Sequence, residues 1–150
     1  MFMLTGRWER YVSTARTVAE SSNCNPRKSM AALVIRGGKI LAAAPNMKNH
    51  RGSIHAEANA LARMTYQKRR PKGATVFVAR FRQDGSFGNA KPCSNCIQFL
   101  KTHRVKDVVW TTANQTLEFC SLSELENDYL PHPTNEARQI KPQGLNGSKG

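Results

Sequence analysis

Long apolar segments are missing from this sequence. No apolar run approaches the roughly 18 residues that a membrane-spanning helix requires. The opening segment, MFMLTGRWERYV, reaches its charged residues after too short an apolar core for a secretory signal. We therefore expect no membrane partner and a cytoplasmic, intracellular protein.

Acidic residues are also scarce. The chain has 10 Asp and Glu against 23 Lys and Arg, which gives a formal net charge of +13. Most of this charge precedes residue 131, and a field of this sign attracts polyanions. The charge favours nucleic acid or a phosphorylated nucleotide as the partner, and solubility alone is the alternative explanation.

Cysteine is rare as well, with four in 150 residues. In a reducing compartment so few thiols are more typical of a metal site, a catalytic residue or buried positions than of disulfides.

The hydrophobic patterns indicate one α/β domain. Its elements run in the order helix, two strands, helix, strand, helix, two strands, over segments 7–21, 29–35, 39–44, 54–68, 74–81, 92–105, 107–112 and 116–122. Only about three residues separate the last two strands, too few for a parallel crossover, so we predict an antiparallel hairpin there. The order predicts a single five-stranded sheet with helices packed on it.

Several details of these elements are also predicted. Ser53 is a suitable cap for the second helix, and the segment before it reads as a loop. Apolar side chains expected to face the core are Ile54, Ala58, Leu61, Ala62 and Tyr66 in the second helix and Ile97, Phe99 and Leu100 in the third. From Pro131 the composition turns to Pro, Gly, Asn and Gln, so we expect a domain over 1–130 and a flexible tail over 131–150.

One acidic residue is isolated in a basic stretch. Glu57 is the only Asp or Glu between positions 21 and 83, where 13 Lys and Arg occur. It lies two residues after His55 at the start of the second helix, and Cys93 and Cys96 begin the third. If these two helix starts lie side by side on the sheet, the four side chains converge.

A histidine and two thiolates form a soft ligand set that suits zinc. Three protein ligands leave one position for water, whose pKa zinc lowers, and Glu57 can then carry the proton. These residues are also compatible with two other kinds of site. One is a closed structural zinc site that adds His103 or Cys24, and the other is a thiol redox pair.

The segments HAEANAL and PCSNC carry the pattern H-x-E followed by P-C-x-x-C, which is the signature of zinc base deaminases. On this pattern the chain resembles the cytidine deaminase superfamily over residues 7–122. The resemblance implies a three-layer sandwich, with a central mixed five-stranded sheet and helices on both faces. It also implies one Zn²⁺ per chain on His55, Cys93 and Cys96, with bound water or hydroxide that attacks C4 of cytosine. Glu57 would protonate N3 and then the leaving amine.

The resemblance extends to substrate contacts. The backbone of Ala56 and of the Pro92–Cys93 turn would line the base pocket. Asn46 resembles the asparagine that meets the sugar in many members of the superfamily. Many members are dimers or larger, which implies a homo-oligomer.

The branch of the superfamily sets the substrate. A direct hairpin of the last two strands is similar to the free-cytidine and toxin branches, and a histidine as first ligand separates the chain from free cytidine deaminases. With the positive charge, this favours the polynucleotide or toxin-like cytosine deaminases, acting on single-stranded nucleic acid, with DNA preferred to RNA. Phe87, in the excursion over 82–91, is either a platform for stacking on a base or a packed loop anchor.

Three alternatives remain. The first is deamination of free cytidine or deoxycytidylate, for which a few cations suffice. The second is deamination of adenosine in RNA. The third is a non-catalytic module that binds nucleic acid and has a structural zinc, in which Glu57 would be dispensable.

Overall fold

The structure, a computed structural model, describes residues 6–24, 29–49 and 52–128. The helices in these residues are α1 (Gly6–Ala19), α2 (Ala56–Tyr66), α3 (Ser94–Thr102) and α4 (Leu122–Asp128). The strands are β1 (Ser29–Arg36), β2 (Lys39–Pro45), β3 (Met47–Asn49), β4 (Gly52–Ile54), β5 (Thr75–Phe81), β6 (Phe87–Gly88), β7 (Asp107–Thr111) and β8 (Leu117–Ser121).

Five strands form the main sheet in the order β2-β1-β5-β7-β8, and the short β6 pairs with β5. Only β5 and β7 run parallel, since α3 makes the crossover between them. The other neighbours are antiparallel, including β7 and β8 at the far edge. The prediction of a mixed five-stranded sheet that ends in an antiparallel hairpin is confirmed.

Alternating residues of the strands bury two separate cores, so the molecule has three layers. On the sheet face that packs against α1, the buried residues include Ala31, Leu33, Phe77, Ala79 and Val109. The opposite face, covered by α2, α3 and α4, includes Ala32, Val34, Val76, Val78, Val108 and Trp110. The predicted sandwich with helices on both faces is therefore confirmed.

The start of α2 differs from the prediction. Gly52–Ile54 forms β4, which pairs with β3, so the predicted loop is a small two-stranded ribbon. The chain stays extended through His55, and His55, not Ser53, is the residue that precedes the helix. The helix thus begins two residues later than the predicted start at Ile54.

The buried face of α2 also differs from the prediction. Its buried residues are Ala56, Glu57, Ala60, Leu61 and Met64. Of the five residues predicted to face the core, only Leu61 is fully buried; Tyr66 is 90% exposed, and Ile54 and Ala62 are also exposed. In α3 the prediction is right for Ile97 and Leu100 and wrong for Phe99, whose ring lies against His103 near the surface.

Arginines at the end of α2 bind the edge strand β2. Arg63 donates to the carbonyl of Ala43 at 2.8 Å, and Arg69 donates to that of Leu41 at 2.6 Å. These two residues therefore act structurally, as hydrogen-bond donors to a strand that has no neighbour on this side within the described residues.

Among the described residues, no helix combines the length and the apolar character needed to cross a bilayer. The predicted tail over 131–150 lies outside the described residues, and so does the boundary at 130.

Candidate active site

The three predicted ligands lie together at two helix starts. His55 and Cys93 occupy the N-cap positions of α2 and α3, and neither side chain caps its own helix. Cys96 follows in the first turn of α3, where the positive end of the helix dipole favours a thiolate. Both helices pack on the same face of the sheet, which brings their starts side by side.

The ligand atoms of His55, Cys93 and Cys96 all lie within 4.8 Å of one another. One imidazole and two sulfurs at this separation suit a tetrahedral zinc ion. The donor set and its geometry fit one zinc per chain. Among the described residues, neither His103 nor Cys24 joins this cluster; Nδ1 of His103 instead lies 2.9 Å from the carbonyl oxygen of Phe99.

Glu57 is buried beside these ligands, with 3% of its surface exposed. Its Oε1 atom has no hydrogen-bond partner within the described part of the chain. A buried carboxylate oxygen without a partner is costly. A hydrogen-bond donor on a metal-bound water or on a substrate would give Oε1 the partner it lacks. This unpartnered atom therefore also fits a metal centre.

Burial raises the pKa of the Cys96 thiol, and the charge of Glu57 raises it further. In the absence of a metal, this pKa shift opposes the thiolate that the helix dipole favours. A divalent cation reverses the shift because a coordinating thiol loses its proton.

A cavity of about 510 Å³ opens at the cluster, within the usual size range of small-molecule sites. Its lining includes His55, Glu57, Cys93, Pro92, Ala90, Asn89, Asn46, Met30, Cys24, Ser53 and Ile54, and the cations Lys48, Arg80 and Lys91. Among these residues Glu57 is the only acid.

Asn46 lines this cavity, and it is also a structural anchor. Its Oδ1 accepts the backbone N–H of Met30 at 2.9 Å and lies 2.8 Å from the hydroxyl of Ser22. These contacts fix the direction of the amide and tie the segment after β2 to β1.

Phe87 does not line the cavity. Its ring is 8% exposed and packs in the α1 core, with its centroid 6.0 Å from that of Phe81. The prediction of a platform for base stacking is wrong, and the alternative, a packed loop anchor, agrees with the structure. The side-chain amide of Gln115 accepts the backbone N–H of Phe87 and donates to the carbonyl of Phe87.

Sequence reasoning missed two cations of the cavity, Lys48 and Arg80. Lys48 lies on β3, within the segment predicted as a loop. Arg80 had a usable signal, because it continues the alternation of Val76 and Val78 along β5 toward the face on which α2 and α3 pack. Cys24 lines the cavity without joining the metal cluster.

The family described as the cytidine and deoxycytidylate deaminase zinc-binding region matches residues 6–112. No curated protein sequence matches the chain. Among solved structures, the dCMP deaminase of cyanophage S-TIM5 in apo form is 26% identical, with a TM-score of 0.59 over 73% of this chain and 86% of that chain.

Two other structures are similar. The S-TIM5 enzyme in complex with dCMP and dUMP is 25% identical, with a TM-score of 0.58 over 74% of this chain and 85% of that chain. The cytidine deaminase of Burkholderia pseudomallei, at 19% identity, shares the fold with a TM-score of 0.64 over 81% and 96% of the two chains. Because the family match spans most of the chain and includes the ligand cluster, this protein belongs to the zinc-binding cytidine and deoxycytidylate deaminase family.

Proposed function

We propose that this protein hydrolyses the C4 amine of cytosine in a mononucleotide of the dCMP or CMP class, giving the uracil nucleotide and ammonia. The observation that carries the proposal is the buried carboxylate of Glu57, with its unpartnered Oε1, beside a cluster of three zinc ligands that opens into a cavity. The family to which the chain belongs supports the reaction class.

The chemistry divides between the metal and one carboxylate. Zinc held by His55, Cys93 and Cys96 would supply a nucleophile at neutral pH, because it lowers the pKa of water. Glu57 accepts a proton from water at Oε1 and passes it to N3 of the ring. It then transfers the second proton of that water to the departing amine. Oxygen from water replaces the nitrogen at C4, so the products are uracil and ammonia.

Other residues of the cavity position the substrate. Pro92 and Cys93 line the cavity and border the base, and Asn46, also in the lining, meets the sugar. Ala56, which the resemblance assigns to the base pocket, is fully buried and is not among the lining residues. The cavity volume of about 510 Å³ suits a single nucleotide. The similarity to a dCMP deaminase solved with dCMP and dUMP supports a monophosphate.

Cytosine in single-stranded nucleic acid is the second candidate, with DNA preferred. The net charge of +13 and the direct hairpin between β7 and β8 favour it. Two observations favour the mononucleotide instead. The proposed stacking residue, Phe87, is buried, and Arg63 and Arg69 bind backbone carbonyls.

The test incubates pure zinc-loaded protein with dCMP, CMP, deoxycytidine, cytidine and a cytosine-containing single-stranded oligonucleotide in parallel. We expect rapid conversion of a monophosphate, slower conversion of its nucleoside and little uracil in the oligonucleotide. Conversion of the oligonucleotide alone would replace this proposal by the second candidate. The absence of uracil in every sample would contradict both.

A further inference from the structure

We propose that Arg80 binds the phosphate of the substrate and so makes the enzyme selective for nucleotides over nucleosides. This inference rests on the proposed function, because it assigns a part of the same substrate to one side chain. Arg80 lines the cavity that contains Glu57 and the ligand cluster.

The strand places Arg80 on the side of the metal site. In β5, Phe77, Ala79 and Phe81 face the core under α1, while Val76 and Val78 face the core under α2 and α3. Because side chains alternate along a strand, the next position on the α2 and α3 face is Arg80. A guanidinium group thus ends a row of valines at the edge where the ligands lie.

The opposite strand leaves room for this side chain. Arg80 pairs with Gly88 on β6, and a Cβ atom at Gly88 would lie 2.9 Å from Cδ of Arg80. Real Cβ atoms do not lie this close to another carbon atom, so the side chain of Arg80 occupies the space directly above Gly88. The glycine therefore sets the direction in which the guanidinium group enters the cavity.

A buried hydroxyl fixes the backbone of both residues. Thr111, which is fully buried, accepts the N–H of Arg80 at 3.1 Å and donates to the carbonyl of Gly88 at 2.7 Å. Its own carbonyl accepts the N–H of Ala90 at 2.9 Å. The backbone from which the Arg80 side chain extends is thus fixed before substrate binds, which reduces the entropy lost on binding.

The charges of the cavity call for an anion. Two thiolates balance the charge of a zinc ion, which leaves Lys48, Arg80 and Lys91 against the one carboxylate of Glu57. A phosphate dianion has the sign of charge that these three cations attract. Of the three cations, arginine alone offers the planar pair of donors that matches a phosphate.

The test measures binding of dUMP and of deoxyuridine to the zinc-loaded protein by calorimetry, with dCMP and deoxycytidine kinetics alongside. Wild type should bind dUMP more tightly than deoxyuridine. Arg80→Gln should reduce that preference about 10- to 100-fold, since a charge-assisted hydrogen bond is lost. The corresponding ratio of kcat/KM values should fall by the same factor.

Two variants keep the test decisive. Gly88→Ala retains the charge of Arg80 but forces its side chain to move, so it should reduce the phosphate preference as well. Arg104→Gln removes an exposed arginine from the turn before β7 and should leave the preference unchanged. Zinc content and thermal unfolding identify any variant that fails to fold.

Equal losses for dUMP and deoxyuridine, or no loss for either, in Arg80→Gln would overturn the inference. A wild type that binds both uracil compounds equally would overturn it as well. If dCMP is not deaminated but the dUMP preference depends on Arg80, the proposed function fails and the phosphate site stands.

Discussion

Nδ1 of His55 lies 3.0 Å from Sγ of Cys96, although 41 positions separate the two residues in the chain. Each belongs to the start of a different helix, and the sheet beneath holds the two helices in place. The metal ligands are therefore assembled by the packing of the fold. Metal binding completes a site that already has its shape.

Replacing Cys96 by Ser should remove the metal and lower stability. Cys96 is buried, and its loss leaves two protein ligands, too few for a tight zinc site. We expect zinc to fall from about one equivalent per chain to near zero, and the unfolding temperature to approach that of chelator-treated wild type. Elemental analysis and thermal unfolding measure both.

Cys120→Ser is the matched control. Cys120 is half-buried in β8 and lies outside the ligand cluster, so this variant should keep its zinc. Retention of a full equivalent of zinc by Cys96→Ser would show that the cluster is not the metal site.

Replacing Glu57 by Gln should keep the metal and abolish turnover. The amide has nearly the same shape but cannot carry a proton, so kcat should fall by about 100-fold to 10,000-fold or more. The zinc content should stay at one equivalent, because Glu57 is not among the three clustered ligands. Glu9→Gln, at an exposed position of α1, should behave as wild type. Normal turnover in Glu57→Gln would support the non-catalytic alternative.

Replacing Asn46 by Ala should reduce stability and weaken substrate binding. The N–H of Met30 loses its acceptor, and an unsatisfied donor of this kind costs about 1–3 kcal/mol in the free energy of unfolding. KM should rise, because the amide also faces the cavity. Asn114→Ala, in the exposed turn of the last hairpin, should change stability by about 0.5 kcal/mol or less. An unchanged KM would exclude Asn46 from the substrate contacts.

Replacing Thr111 by Val removes one hydroxyl with little change in shape. The N–H of Arg80 and the carbonyl of Gly88 then lose a shared partner inside the protein, and we expect a loss of about 1–3 kcal/mol by urea unfolding. Thr102→Val provides the comparison, since that hydroxyl bonds only within its own helix at the surface. Equal stabilities for the two variants would contradict the role of Thr111.

The ligands and the sheet could be predicted because their signals are local. His55, Cys93 and Cys96 stand at helix starts, and the short link between β7 and β8 permits only an antiparallel pair. The proton carrier also had a local signal, because Glu57 is the one acid in a basic stretch. These features do not depend on what the distant parts of the chain do.

The errors arose where very short strand pairings decide the structure. Ser53 is a good cap by type, but its pairing with Lys48 in the β3–β4 ribbon keeps the chain extended past it. Phe87 lies in a polar, Gly-rich segment that reads as exposed, and pairing of β6 with β5 turns its ring into the core. These pairings involve only three and two residue pairs, too few to produce an apolar alternation that the sequence would display.

The guanidinium groups of Arg63 and Arg69, which bind β2, affect how this basic protein behaves at high concentration. The carbonyls of Leu41 and Ala43 already accept hydrogen bonds from Arg69 and Arg63. A strand from another molecule cannot extend the sheet at this margin without displacing both arginines and meeting their charge. The same residues that make the chain cationic thereby guard it against edge-to-edge aggregation.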